Sequence, residues 1–270
     1  MKDYGLNFDS FIFTYKEYDD INNSAFKWHI HPFYELLYIV DGKINYIVEN
    51  KQYLLGKGDL LFIPSACYHT VHSIIEAPYK RFCVDFLDNF IDKKIIDEIF
   101  SNYEYIKLAE NPTIENIMHL LMEITNSISK EKQLFLCKNM MESLLIYISS
   151  MTRNEKPHNT QIISKNCQDI IDFINVNLTQ ITSLEQIASH FFFSKTYLNH
   201  LFKKEMNIGV MTFVRNKKIL LAQKLLKEGR KPNDIFYECG FSNYVSFYRA
   251  YCKYCGVSPS ESYVKTPKQP

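Results

Sequence analysis

The stretch Lys27-Trp28-His29-Ile30-His31-Pro32-Phe33-Tyr34-Glu35 concentrates side chains that could do chemistry. Two histidines one residue apart on an extended segment point to the same side, and a glutamate follows four residues later. Imidazole nitrogens with a carboxylate oxygen are the donor set of a divalent-metal site, and a metal site suggests an enzyme. The same groups also hydrogen-bond an organic ligand, so the motif alone leaves catalysis and binding both open. Cys252-Lys-Tyr-Cys255 is the other spacing with metal or redox chemistry. It is a lone C-x-x-C with no second pair and no surrounding βαβ pattern, which points to cysteines on a core or helix face.

The chain that positions these residues has 270 of them, enough for two domains with their own cores, and its 46% hydrophobic content excludes a disordered protein. Aromatics make up 15%, which leaves aromatic surface for ligands or partners. The net charge of +1 hides an asymmetry. Residues 1–161 carry 16 Lys+Arg against 22 Asp+Glu, whereas residues 162–270 carry 15 against 8. A basic C-terminal third behind an acidic front is the split expected of a nucleic-acid-binding module joined to something else. Seven cysteines without a framework spacing indicate a reducing, cytoplasmic setting without disulfides. MKDYGLNFDS does not read as a signal peptide, and no apolar run is long enough to span a bilayer.

Residues 10–90 read as short strands. FIFTY (11–15), ELLYIV (35–40), INYIVE (44–49), DLLFI (59–63), TVHSII (70–75) and KRFCVDF (80–86) are rich in aromatic and β-branched residues. Asp41-Gly42, Glu49-Asn50, Gly56-Lys57-Gly58, Pro64-Ser65 and Ala77-Pro78 read as turns between them. The spacing predicts a small antiparallel barrel or jelly roll over 1–90. Residues 91–100, 113–128 and 131–151 then repeat apolar positions at helical period, and the last two make a helical hairpin over 91–151. The second helix of that hairpin is dense enough in Leu, Met and Ile to suggest a homodimer surface, with plain core as the alternative. TRNEKPHNTQ (152–161) reads as the linker, and 162–270 as helices throughout.

The C-terminal third contains two copies of one unit. Ile187-Ala188 through Phe193-Ser194 lies over Ile235-Phe236 through Phe241-Ser242 at an offset of 48, and Asn207 and Gly256 close the units at 49. Each copy reads as helix, turn, helix. Ser183-Leu-Glu-Gln186 is a capping box, Ser194 and Ser242 are N-caps, and Gly240 is free to take a positive φ. The second helix of each pair can enter a major groove. Lys195, Thr196, Asn199, His200 and Lys203 on the first, and Asn243, Tyr244, Val245, Ser246, Arg249 and Lys253 on the second, are the expected DNA-binding residues. Arg reads guanine, Asn reads adenine, Val and Tyr meet a thymine methyl, and lysines and serines hold phosphates. A solvated polar face is the bland reading for one such helix, and two matched units in the basic third outweigh it.

The pattern GFSNYVSFYRAYCKYCGVSPSESY (240–263), with SKTYLNHLFKKE (194–205) and KKILLAQKLL (217–226), resembles the AraC/XylS-type transcription regulators over about residues 162–266. The resemblance implies two helix-turn-helices on one chain, set about one DNA turn apart. Phe236 stands where the family usually has Ala, Lys218 and Cys252 stand for a common Arg and Lys, and Asn207 stands for Gly. The changes at Lys218 and Cys252 imply lost phosphate contacts.

His29-x-His31-x3-Glu35-x6-Gly42 similarly resembles the first cupin motif, and Gly58-x5-Pro64-x-Ala66-x2-His69 the second. By that resemblance His29, His31, Glu35 and His69 occupy the metal positions of metal-dependent cupins. Sensor domains of AraC-type regulators look alike and use the barrel for a small organic effector. His29, His31, Glu35, Tyr68 and His69 are therefore expected effector-binding residues, with Trp28, Tyr46 and His72 as further pocket groups.

The expected fold class is α+β multidomain: an N-terminal cupin β-barrel plus helical hairpin, then an all-α double helix-turn-helix. The expected function is a non-enzymatic, sequence-specific transcription regulator, an activator acting through double-stranded DNA and RNA polymerase. Its controlling ligand is expected to be a neutral small-molecule effector such as a sugar, because the barrel reads as aromatic and histidine-lined with few cations. No cofactor is required, and a divalent metal is the alternative occupant. Effector binding is expected to change how the N-terminal domain, or its arm (residues 1–15), contacts the DNA-binding domain.

Overall fold

The computed structural model describes residues 4–19, 28–49, 51–107, 112–124, 128–151, 160–161 and 164–263. It divides into two compact units, 1–161 and 162–270.

The first unit is an antiparallel sheet domain with helices. Its strands are β1 (Tyr4–Phe8), β2 (Phe11–Tyr18), β3 (Tyr34–Val48), β4 (Lys51–Leu55), β5 (Asp59–Ile63), β6 (His69–Phe86), β7 (Tyr105–Lys107) and β8 (Thr160–Gln161). They run in the order β1-β2-β6-β3-β4-β8, with β5 pairing β3 and β7. The long pair β3 and β6 forms the spine. Its near-continuous apolar sequence follows from burial on both faces. On one face Phe11, Phe13, Leu36, Tyr38, Leu60, Phe62, Phe82, Val84 and Phe86 pack under the helices. On the other, Leu37, Ile39, Ile44, Tyr46, Leu61, Ile63, Tyr79 and Cys83 form the barrel interior. Alternate residues of one strand thus serve two cores.

Two expected turns are strand instead. Asp41-Gly42 lies inside β3, where the register with β6 shifts between Asp41 and Lys43. Gly42 there has φ +82, and a Cβ on it would meet the Pro78 and Glu76 carbonyls at 2.5 and 2.7 Å. The glycine marks a bulge, where the backbones of the two strands come close. Ala77-Pro78, joined by a cis bond, lies opposite within β6. The expected arm is also different: residues 4–15 belong to β1 and β2, with β2 paired to β6 from Phe11 to Tyr18. Of the segment read as linker, 152–159 lie outside the described residues, and Thr160 and Gln161 pair with β4.

Helices α1 (Lys93–Asn102), α2 (Pro112–Ile124) and α3 (Lys130–Met151) cover the outer sheet face. The apolar density of α3 is spent there: Cys137, Met141, Leu144, Leu145 and Ile148 are fully buried. Phe135, at 73% exposure, and Ile146 are what it leaves outward.

The second unit is all helical: α4 (Lys165–Asn177), α5 (Leu184–His190), α6 (Lys195–Met206), α7 (Val210–Lys227), α8 (Pro232–Ile235) and α9 (Tyr244–Cys255). The Ser183/Gln186 capping box is formed, and Ser194 caps α6 by accepting from the Tyr197 N–H. Both turns close with the same hydrogen bonds, at the offset of the repeat. Phe191 N–H donates to Ile187 O and Phe193 N–H to Ala188 O; Cys239 N–H donates to Ile235 O and Phe241 N–H to Phe236 O. The left-handed residue between them is Phe192 (φ 55) in the first copy and Gly240 (φ 78) in the second. Asn207 and Gly256 end α6 and α9 in the same left-handed conformation.

Candidate functional site

The barrel cavity has a volume of about 440 Å³. His29 and His31 precede β3 and line it; an isolated bridge to His69 fixes the backbone of His29. From β3 come Glu35 and Tyr46, from β2 Thr14 and Lys16, and from β6 Thr70, Val71, Arg81, Cys83 and Asp85.

One ligand atom from each of His29, His31, Glu35 and His69 lies within 4.8 Å of all the others. Glu35 is the hub. Its Oε2 lies 3.3 Å from His31 Nε2 and 3.1 Å from His69 Nε2, and Tyr46 OH donates to its Oε1 at 3.3 Å. Burial opposes ionisation of Glu35, but the charge of His69 and the hydrogen bonds of both imidazoles hold its pKa well below the usual carboxylate range. Burial likewise works against charging His31, and Glu35 overrides it and raises the imidazole pKa. His69 Nδ1 lies 2.9 Å from the Cys67 carbonyl oxygen, which can only accept, so Nδ1 carries a proton. Its Nε2 then faces the carboxylate either with a second proton or with a lone pair. A cation between the two would satisfy the second arrangement.

Asp85 lies beyond this cluster. Burial and then the charge of Glu35 push it up to about 6. Cys83 Sγ donates to Asp85 Oδ1 at 3.5 Å, and burial pushes its pKa well up, so it is a thiol and not a thiolate.

His29, His31, Glu35 and His69 therefore come together as the motif implies, and Tyr46, expected as a further pocket group, joins them through Glu35. Tyr68 is buried, His72 is exposed, and neither they nor Trp28 are among the residues lining the cavity. The expectation of few cations also fails: Lys16 and Arg81 line the wall. The signal for Arg81 was present in the alternation Arg81, Cys83, Asp85 along β6. It was obscured because both faces of that strand are buried.

In the helical unit, the structure sorts the expected DNA-binding residues. Thr196, His200 and Lys203 are exposed on one side of α6, and Val245, Ser246, Arg249 and Lys253 on one side of α9. Four others are engaged locally. Lys195 pairs with Glu185 at 2.7 Å. Asn199 Oδ1 accepts from the Val210 N–H at the start of α7. Asn243, and not Ser242, is the N-cap of α9, its Oδ1 accepting from the Ser246 N–H at 2.8 Å. Tyr244 is half-buried against Phe236 and Phe247. The large Phe236 packs edge-on against Tyr244 and tilted against Tyr237, and α8 is four residues long.

Lys218 is not a phosphate contact in waiting. It is buried, and its Nζ donates to the Ile181 carbonyl at 2.5 Å and the Gly240 carbonyl at 2.7 Å. Burial lowers its pKa to about 8. Tyr197 and Lys204, exposed on α6 beside the expected face, were not anticipated.

Residues 14–144 match the family described as AraC-like ligand binding domain, and residues 187–262 match a helix-turn-helix domain family. The chain is 22% identical over 223 residues to the uncharacterized HTH-type transcriptional regulator YbfI of Bacillus subtilis (strain 168), covering 80% of this chain and 78% of that one. It is 29% identical over 125 residues to the arabinose operon regulatory protein of Escherichia coli (strain K12), covering 46% of this chain and 42% of that one. Among solved structures, apo ToxT K231A from Vibrio cholerae strain SCE256 aligns over 94% of this chain and 97% of its own at 12% identity, with a TM-score of 0.42. With a ligand-binding domain ahead of a duplicated helix-turn-helix, the chain belongs to the AraC-type transcription regulators.

Proposed function

We propose that this regulator is controlled by a small organic effector held in the barrel cavity. It reads DNA through Thr196, His200 and Lys203 on α6 and through Val245, Ser246, Arg249 and Lys253 on α9. The observation that carries the DNA reading is the duplication itself. Two turns closed by the same hydrogen bonds each present a polar face on the following helix. What supports the effector reading is a half-open cavity whose polar groups converge on the buried Glu35.

The mechanism is a linkage. Effector binding shifts the affinity of the two reading helices for adjacent half-sites, and DNA shifts effector affinity by the same factor. Activation, contact with RNA polymerase and homodimerisation through Phe135 and Ile146 of α3 belong to this reading. Activation and the polymerase contact rest on the family resemblance alone. A gel shift on the region upstream of its own or a neighbouring gene tests the core of the reading. Salt-sensitive, sequence-specific binding that responds to effector is expected, and its absence in both the full chain and residues 162–270 rejects it. A promoter–reporter fusion separates activator from repressor, and light scattering reads the dimer.

A divalent cation is the second reading, favoured by the His69 tautomer. His29, His31, Glu35 and His69 would hold it, with the Cys67 carbonyl orienting His69. Such an ion would give the effector's oxygen atoms a Lewis-acidic partner. Stoichiometric metal in the purified full chain, lost in His29→Ala/His69→Ala, is the expected result; fully folded, metal-free protein rejects it.

A further inference from the structure

Lys16 and Arg81 are direct cross-strand partners in the β2–β6 register, and both line the barrel cavity. Side chains opposite one another on antiparallel strands lie on the same face, about 5 Å apart at Cβ, and like charges so placed repel. The next register pair, Glu17 and Lys80, shows the ordinary solution: opposite charges joined at 3.1 Å. Neither Lys16 nor Arg81 has such a direct ion pair; burial opposes the charge of Arg81, and its neighbours, Glu35 among them, favour it only from a distance. Among the described residues no carboxylate lies within ion-pair distance of either, although Glu35 and Asp85 line the same cavity. The Arg81 Nε is buried without a hydrogen-bond partner among those residues. A buried guanidinium donor left open beside a second cation is costly unless something anionic completes it.

We propose that the cavity takes a small molecule bearing a carboxylate, seated on Lys16 and Arg81, with hydroxyl or amino groups at its other end facing His31 and Asp85. The planar fork of Arg81 matches a carboxylate's two oxygens, and Lys16 adds a point charge beside it. His31 Nδ1, also buried and unpartnered, and Asp85 supply the polar far wall. The lining also offers the hydroxyls of Thr14, Thr70 and Tyr46 beside Val71 and Cys83, so the remainder of the ligand is expected to carry polar groups. A neutral sugar would fill the same volume and leave the two cations without a direct anionic partner. The inference rests on the effector reading above.

The test uses the full-length protein and matched probes: D-galacturonate with D-galactose, D-gluconate with D-glucose, and L-lactate with glycerol, at equal ionic strength. Thermal shift should show at least one acid raising the Tm while its neutral partner does not. Titration calorimetry should show that acid weakened at least about tenfold by Arg81→Met and by Lys16→Met. Ligand-free Lys16→Met should melt at or above the wild type, because it removes a repulsion. Neutral partners that shift the Tm as much as the acids, acids that bind Arg81→Met unchanged, or silence of every acid overturn the proposal. A ligand-free Lys16→Met that melts well below wild type also overturns it, since the cation pair would then support the fold. Gel shifts with the same probes separate the two readings. An acid that binds through Arg81 without altering DNA affinity leaves this proposal standing and removes the linkage; a neutral sugar that alters DNA affinity does the reverse.

Discussion

Phe192 and Gly240 occupy the same place in two copies of one turn, and they show what that place demands. A left-handed conformation costs a bulky side chain about 1–2 kcal/mol, while glycine adds about 0.5–1 kcal/mol of chain entropy. Phe192 is 96% exposed, so it recovers little by packing. Phe192→Gly is therefore expected to stabilise the helical unit by about 0.5–1 kcal/mol, read as a higher urea midpoint at unchanged slope. At Gly240 the balance is reversed. A Cβ there would stand 2.2 Å from the Thr179 carbonyl oxygen and 2.8 Å from Lys218 Nζ. Gly240→Ala should cost on the order of 3 kcal/mol or more, by clash as well as by strain. Lys218→Met leaves two buried carbonyls without their donor and should cost about 2–4 kcal/mol. Because burial lowers Lys218 to about 8, the unfolded chain binds the extra proton between about pH 8 and 10.5. The wild type thus gains stability relative to Lys218→Met across that window, and the gap between their urea midpoints should widen from pH 7 to pH 10.

At the scale of the element, legibility followed the number of independent signals. The α5 capping box, the α6 cap and both turns were visible because propensity, repeat and cap residue agreed. The α9 cap was misread by one residue because Ser242 and Asn243 are both good caps; only backbone geometry chooses between them. The β3 and β6 strands were each read as two. A turn signal such as Asp41-Gly42 states a backbone preference, and a bulge satisfies it as well as a hairpin does. The cation pair was out of reach, since the partnership of Lys16 with Arg81 depends on a register between strands more than 60 residues apart. Among the reading helices, Arg249→Ala is expected to cost about 1–3 kcal/mol at a single base position and to relax specificity there, in gel shifts against a panel of operator variants. Lys203→Ala should weaken all sequences alike and reduce the salt slope by about one.

At the scale of the whole molecule, each unit has its own buried core, so each is expected to fold alone. Residues 162–270, expressed separately, should unfold cooperatively and bind DNA with a steep salt dependence, checked by circular dichroism and by titration from 50 to about 200 mM salt. Effector should change the affinity of the full chain and leave that of the fragment unaltered. Among the described residues no helix is long and apolar enough to cross a membrane.

Lys218 gives the molecule a unit of length. It grips the Ile181 carbonyl, just ahead of the first reading unit, and the Gly240 carbonyl, inside the turn of the second. On the proposed DNA reading, that grip is expected to set how far along the duplex, and at what rotation, the second half-site follows the first. Each inserted base pair turns the second site by about 35°. A wild-type chain should reject an operator lengthened by one base pair. Lys218→Met, assayed cold where circular dichroism shows it folded, should discriminate less between the two spacings. On that reading, the phasing an operator must obey is set by a lysine buried away from the exposed faces of both helices.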